Sequence, residues 1–246
     1  MNINEDKTTD IKIVKSFHVK DTLSKKIFNV PKNIMKDKIR EQLLIIADDF
    51  IEFLGVDFYI HDVILTGSLA NYNWSEYSDA DLHILIDFDE TNYDKKLLKE
   101  FFDTKKNLWN NNHNVKVKNY DVEVYVQNIH EKHISSGVYS ILHNHWIIEP
   151  DKVKYKIDKR KILQKGDEFM SLIDDLIKKS KKNLDVMDNV IKLKKKIKNF
   201  RQIGLDNDGE YSYENLTFKL LRRNNYIEKL FTLDNDLTDK KLTIKQ

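Results

Sequence analysis

The sequence predicts an α+β protein, in which a mixed sheet is flanked by helices and followed by an all-helical C-terminal region. Two observations predict this class. Short apolar runs of strand length lie among helical segments before Pro150, and the pattern beyond Pro150 is helical almost to the end. Because strands come first and helices after, we expect two domains, residues 1–150 with an N-terminal arm and residues 151–246.

A periodic helix is the first element that the spacing predicts. Between Pro31 and Gly55, six apolar residues recur at steps of three and four. They are Ile39, Leu43, Ile46, Ala47, Phe50 and Leu54. Gly55 then ends the helix, since glycine readily adopts the left-handed conformation that follows a helix C-terminus.

Two apolar runs predict the central strands. Residues 62–66 and 80–86 have the length and composition of buried strands, and Gly67 begins a short turn or helix between them. A further helix is predicted from about Tyr93 to Trp109, since a polar loop of asparagines follows it.

The remaining elements follow from alternation and then from helical periodicity. Residues 114–128 alternate as a strand does, and a shift of the apolar phase indicates a bulge or tight turn at Lys118–Asn119. Residues 137–150 predict a short pair of strands. Helices are then predicted around residues 160–180, 183–201 and 213–231.

Composition excludes several kinds of protein. The chain has no cysteine, which excludes disulfides and thiolate metal sites. It has no apolar run of membrane-spanning length and no apolar stretch of a secretory signal near its start, so we expect a cytoplasmic protein without a membrane partner. The net charge of +2 predicts no nucleic-acid partner by itself. Residues 178–201 are rich in lysine and could attract a polyanion, but a solvated helix face is the preferred interpretation.

Two aspartates stand at the start of the second central strand. With the period of two that strands have, Asp79, Asp81 and His83 share the face opposite the apolar one. Carboxylates placed this way repel each other unless a divalent cation lies between them. Mg²⁺ suits this geometry, because it takes a few carboxylate oxygens together with phosphate oxygens and water.

A later strand offers a third carboxylate. Glu123 is the first choice, since valines flank it, and Asp121 is the reserve. Two ions could then divide the work, one activating an attacking hydroxyl and the other neutralising a triphosphate and its leaving group. Gly67 and Ser68 would add backbone N–H groups and a hydroxyl for phosphate. The plainer interpretation is that the aspartates cap the strand entry and Glu123 faces solvent.

These motifs together resemble a known superfamily. "GS" at 67–68, "DAD" at 79–81 and "VEV" at 122–124 are similar to the nucleotidyltransferases of the DNA polymerase β superfamily. The resemblance implies a minimal nucleotidyltransferase sheet, two Mg²⁺ ions that Mn²⁺ could replace, and transfer of a nucleoside monophosphate from an NTP such as ATP with release of pyrophosphate. It also implies the roles of the residues. Gly67 and Ser68 would contact the triphosphate, Asp79 and Asp81 would hold both metals, and Glu123 would serve the acceptor-activating metal.

Longer segments of the sequence have a second resemblance. "LTGSLANYNWSEYSDADLHILIDF", "VEVYVQ", "GVYSIL" and "GEYSYENLTFKLLRR" resemble a family of uncharacterised nucleotidyltransferases of tailed phages. That family carries no assigned substrate. If a phage encodes the chain, the expected location is the host cytoplasm.

Two features of the sequence have more than one interpretation. His83 stands where superfamily members commonly have an apolar residue, and it could be a metal ligand, a base or, as we prefer, the partner of a nearby carboxylate. Lys219 and Arg222 form a basic cluster with Arg223 on a predicted helix. They could neutralise triphosphate or acceptor, and an exposed helix face is an equal alternative.

The function expected from the sequence is therefore a Mg²⁺-dependent nucleotidyltransferase. Its acceptor could be an RNA end, a protein hydroxyl or a small molecule, and the oligomeric state cannot be inferred from the sequence. The alternative is a catalytically inactive module of the same fold that binds nucleotide or a partner protein.

Overall fold

The computed structural model describes residues 3–133, 135–152, 155–182 and 184–244. The chain forms two compact units, one of residues 19–154 and one of residues 1–18 with 155–246. The first helix, α1 (Ile3–Ser16), belongs to the second unit. The division expected at residue 150 had grouped this segment with the strands as an N-terminal arm.

The unit of residues 19–154, here called the sheet unit, contains eight strands and two α-helices among its described residues. Its strands are β1 (Phe28–Asn29), β2 (Ile34–Met35), β3 (Asp62–Thr66), β4 (Ala80–Ile86), β5 (Lys116–Val117), β6 (Tyr120–Asn128), β7 (Val138–Ser140) and β8 (His145–Ile148). Its helices are α2 (Asp37–Leu54) and α3 (Lys95–Asn112). The six-stranded sheet has the order β5-β6-β4-β3-β7-β8, and β1 pairs with β2 separately. Only β4 and β6 run parallel among the described strand pairs.

The core of the sheet unit lies where the sequence predicts it. The six apolar residues predicted for α2 are all buried, and Gly55 ends the helix with a φ of 71°. Both central strands have the predicted bounds, and every residue of β3 is buried. One apolar cluster joins the inner face of β4 to the helices, with Leu82, Phe50 and Trp109 among its members.

The parallel pair requires a crossover, which α3 and β5 supply. Asp94 caps the start of α3 by accepting a hydrogen bond from the Leu97 N–H at 3.0 Å. β5 and β6 form a hairpin whose two connecting residues, Lys118 and Asn119, have φ values of 53° and 68°. The tight turn predicted at these residues is confirmed, and it has the positive dihedral angles of a two-residue hairpin loop.

The unit of residues 1–18 and 155–246, here called the helical unit, contains α1 and four further α-helices among its described residues. They are α4 (Lys159–Lys181), α5 (Met187–Asp208), α6 (Tyr213–Arg223) and α7 (Tyr226–Leu242). The start predicted at residue 183 is wrong for α5, which begins at Met187, and Asn183 itself lies outside the described residues. The single helix predicted over 213–231 is also wrong, because Asn225, with a φ of 59°, separates α6 from α7.

The predicted α+β class, with a mixed sheet, flanking helices and a helical C-terminal region, is confirmed. Within the described part of the chain, every helix is too short or too polar to cross a membrane. Two of the predicted metal ligands lie on the parallel pair of strands, Asp81 on β4 and Glu123 on β6.

Candidate functional site

Strand pairing brings two of the predicted carboxylates next to each other. Asp81 on β4 is in register with Glu123 on β6 and, on its other side, with Thr66 on β3. Directly paired residues of neighbouring strands project from the same face of a sheet. Asp81 and Glu123 are half-buried, and their neighbours Leu82 and Val124 turn to the opposite face and are fully buried. The sheet therefore presents adjacent carboxylates on the face that is not the core.

Gly67 lies directly against the Asp81 carboxylate. Its backbone, with φ 69° and ψ −156°, lies in a region that is essentially restricted to glycine. A β-carbon added at Gly67 would lie 1.8 Å from Oδ2 and 2.8 Å from Cγ of Asp81. Two independent constraints therefore require glycine here, the backbone conformation and the carboxylate that occupies the side-chain position.

Asp79 immediately precedes β4 and is half-buried. Among the described His, Asp and Glu residues, Asp79, Asp81 and Glu123 are not a group whose ligand atoms all lie within 4.8 Å of one another. Oxygens that share one Mg²⁺ at about 2.1 Å lie within about 4.2 Å of each other. A pair of ions about 3.5–4 Å apart tolerates a wider spacing of carboxylates than a single ion does.

The predicted phosphate donors are engaged within the chain. The Gly67 N–H donates to Oγ of Ser135 at 3.1 Å. The Ser68 hydroxyl donates to Oγ of Ser78 at 2.8 Å, and that oxygen also accepts from the Ser75 N–H at 2.9 Å. A phosphate group would have to replace these serine contacts. Ser135 carried no signal in the sequence, because the segment that contains it lies far along the chain from Gly67.

Glu123 has a partner that sequence reasoning missed. The Tyr125 hydroxyl donates a hydrogen bond to Oε2 of Glu123. The two residues lie two positions apart on β6 and so share a face. This spacing was a usable signal, although tyrosine two residues from an acid is common in strands.

His83 bonds to an amide, so the interpretation of this residue as the partner of a carboxylate is wrong. Its Nδ1 lies 2.8 Å from Oε1 of Gln127, and its ring stacks on Tyr125 with centroids 4.8 Å apart. Burial lowers the pKa of His83 to about 4, the hydrogen bond that His83 donates to the Gln127 oxygen opposes this shift, and the charges of His133 and Lys106 add to it. The imidazole is neutral near pH 7. Because an amide oxygen only accepts, Nδ1 carries the proton and Nε2 is an acceptor.

The other predicted residues lie in different surroundings. Asp121 is exposed and forms an ion pair with Lys116 at 2.6 Å, so the reserve carboxylate is a surface group. Lys219 and Arg222 lie one turn apart on α6 of the helical unit, with Lys219 half-buried and Arg222 exposed. They belong to a different compact unit from the carboxylates.

A second group of acids and histidines lies at the far end of β4. Ligand atoms of His61, Asp87 and Glu90 lie within 4.8 Å of one another, and so do those of Asp87, Asp89 and His130. His61 contacts Glu90 at 3.0 Å, and His130 lies 3.4 Å from Asp87. Lys95 also pairs with Asp89. Each contact joins an acid to a basic residue, as in ordinary ion pairs. The spacing of these residues in the sequence did not predict that they lie together.

Comparisons with protein-family models, curated proteins and solved structures found no match for this chain. The resemblance to the polymerase β superfamily stays a prediction from the motifs.

Proposed function

We propose that the chain is a metal-dependent nucleotidyltransferase that transfers a nucleoside monophosphate from an NTP to an acceptor hydroxyl. The observation that carries the proposal is the register of β4 with β6, which pairs Asp81 with Glu123 beside the Gly67 bend. Adjacent carboxylates on one face repel each other in water, and a divalent cation removes that repulsion. Because Asp81 and Glu123 lie on paired neighbouring strands, their backbones cannot move apart without breaking that pairing.

The donor set fits Mg²⁺, with Mn²⁺ as a substitute. Asp79, Asp81 and Glu123 offer carboxylate oxygens, which are the ligands that these hard cations prefer. In the proposal Asp79 and Asp81 would hold two ions and Glu123 one of them. Bound cations would neutralise triphosphate charge and lower the pKa of the acceptor hydroxyl.

The chain's own groups would position the substrate. Gly67 lets the backbone approach the Asp81 carboxylate without a side chain, so a triphosphate could lie along the same bend. Ser68 would exchange its bond to Ser78 for a phosphate oxygen. Little covalent participation by the protein is needed for phosphoryl transfer.

The acceptor in this proposal is an RNA end, a protein hydroxyl or a small molecule. We infer a cytoplasmic protein, in the host cytoplasm if a phage encodes it, and a reducing cytosol suits a chain without cysteine.

The test is transfer of label from each α-labelled NTP in the presence of Mg²⁺ or Mn²⁺. Host lysate supplies RNA, proteins and small molecules together, and fractionation then identifies the labelled class. Asp81→Asn and Glu123→Gln should abolish labelling and pyrophosphate release. Asp121→Asn is the matched control, because this exposed acid on the same strand is already paired with Lys116. Equal labelling by Asp81→Asn and the unchanged chain would refute the proposal.

A second candidate is a module of this fold that binds nucleotide or a partner protein without turnover. The internal hydrogen bonds of Gly67 and Ser68 favour the form of this module that binds a partner protein, because both predicted phosphate donors are already engaged. For that form, Mg²⁺-NTP should neither raise the melting temperature nor release pyrophosphate. Release that depends on Asp81 and Glu123 would exclude it.

A further inference from the structure

Tyr125 connects the proposed metal site to a group of stacked and hydrogen-bonded side chains. Its hydroxyl donates to Oε2 of Glu123 and leaves Oε1 for another ligand. Because both residues lie on the same face of β6, the contact needs no change in the backbone. The hydrogen bond therefore fixes the rotation of the Glu123 carboxylate beside Asp81.

The ring of Tyr125 is itself held by its neighbours. His83 stacks on it with an angle of 25° between the ring planes, and Nζ of Lys106 lies 5.0 Å from the ring centroid. His83 is anchored in turn by Gln127 at 2.8 Å. The amide nitrogen of Gln127 donates to the backbone oxygen of Glu131 at 3.4 Å. Few rotations of the phenol are compatible with these contacts, so its hydroxyl is held close to Glu123.

We propose that Tyr125 is a positioning residue that orients the Glu123 carboxylate for a divalent cation. The inference rests on the proposed function only in taking Glu123 as a metal ligand. Hydrogen bonds to ligating carboxylates orient them, and removing such outer partners typically weakens metal binding by about 10- to 100-fold. Tyr125 touches neither substrate nor metal in this role.

The experiment measures Mn²⁺ affinity in the full chain by electron paramagnetic resonance, without nucleotide. Tyr125→Phe removes the hydroxyl and keeps the ring that stacks on His83. Tyr120→Phe is the matched control, since this buried tyrosine on the same strand bonds to Ser24 at 3.3 Å, away from Glu123. We expect Tyr125→Phe to weaken Mn²⁺ binding by about 10- to 100-fold and Tyr120→Phe to leave it unchanged.

Two further measurements separate positioning from structural damage. The melting temperature of Tyr125→Phe in EDTA should match that of Tyr120→Phe to within a few degrees. If the chain transfers nucleotide, saturating Mn²⁺ should restore the kcat of Tyr125→Phe, because only metal affinity has changed.

The outcomes are distinguishable. If Glu123→Gln weakens Mn²⁺ binding and Tyr125→Phe does not, the inference about Tyr125 is overturned and the proposed function stands. If the unchanged chain binds Mn²⁺ no better than the Asp81→Asn and Glu123→Gln variants, the metal site is absent and both proposals fail.

Discussion

The two ends of β4 both carry acids, but the surroundings of those acids differ. At the carboxyl end, Asp87 contacts His130 and Glu90 contacts His61. At the amino end, Asp81 is paired in register with another acid, Glu123, whose hydrogen-bond donor is the neutral phenol of Tyr125. An acid beside an imidazole can be neutralised within the protein, whereas an acid beside an acid favours an added cation. The amino end is therefore the better candidate for chemistry.

The largest expected effect tests this comparison directly. Asp81→Asn or Glu123→Gln should lower nucleotide transfer by more than about 100-fold, since metal-based charge stabilisation contributes several kcal/mol to the transition state. Asp87→Asn should retain near-normal activity, because asparagine can keep the capping bond that Asp87 accepts from the Asp89 N–H at 2.8 Å. Steady-state pyrophosphate release measures all three. A loss as large in Asp87→Asn as in Asp81→Asn would remove the distinction between the two ends.

The next effect concerns the glycine beside Asp81. Gly67 and Gly209 have nearly the same backbone, with φ 69° and ψ −156° against φ 70° and ψ −151°. A β-carbon at Gly209 would meet nothing within 4 Å, whereas at Gly67 it would meet the Asp81 carboxylate. Gly209→Ala should cost about 1–3 kcal/mol from backbone strain, and Gly67→Ala about 1–3 kcal/mol more from the clash.

Urea unfolding followed by amide hydrogen exchange measures the stability of each unit in these two variants. Equal destabilisation by the two substitutions would show that Asp81 moves away at no cost. That result would contradict the claim that the Asp81 carboxylate leaves no room for a side chain at position 67.

A smaller effect is expected at His83, on the pH dependence of the unfolding free energy. Because folding lowers the pKa of His83 from 6.5 to about 4, its contribution to stability is fully present above pH 6.5 and is lost as the pH falls towards 4. At most about 3 kcal/mol is lost by the lower end of this range. His83→Gln should flatten the decline in unfolding free energy between pH 6.5 and 4, measured in EDTA. An identical decline in the variant would assign the acid sensitivity to other groups.

The smallest effect is expected at the exposed acid of β6. Asp121→Asn should change the unfolding free energy by less than about 1 kcal/mol, since an exposed ion pair such as the one with Lys116 contributes little. Its effect should disappear in 1 M NaCl, where such pairs are screened. Urea unfolding at low and high salt provides the measurement, and a loss that persists at high salt would contradict this assignment.

Local periodicity predicted the parts of the fold that are set by burial of one face. The bounds of β3 and β4, the buried face of α2 and the turn at Lys118–Asn119 all follow from patterns within a few residues. The helix α1 was missed, because its first residues are mostly polar. Among its described side chains, the buried apolar ones are Ile13 and Val14 near its C-terminal end, and buried Phe17 lies just beyond it.

The candidate site was predictable in its residue types but not in its contacts. Alternation placed Asp81 and Glu123 on non-core faces of their strands, and the structure adds that those strands are neighbours in matching register. The contacts of Ser135 with Gly67 and of Gln127 with His83 join distant segments, and no periodic pattern encodes them. The same holds for the bond from Asn224 to Asp10 at 2.6 Å, which links α1 to the loop after α6.

The parallel pairing of β4 with β6 also sets the order in which refolding completes the site. β3 and β4 pair through a short connection, so the contact of Gly67 with Asp81 closes early at a small entropic cost. Glu123 reaches Asp81 only after the whole crossover through α3 has closed, and such non-local pairings form slowly. A cation held by both acids would stabilise a pairing that forms late in folding. Adding Mn²⁺ should therefore slow unfolding in stopped-flow traces and leave the refolding rate nearly unchanged.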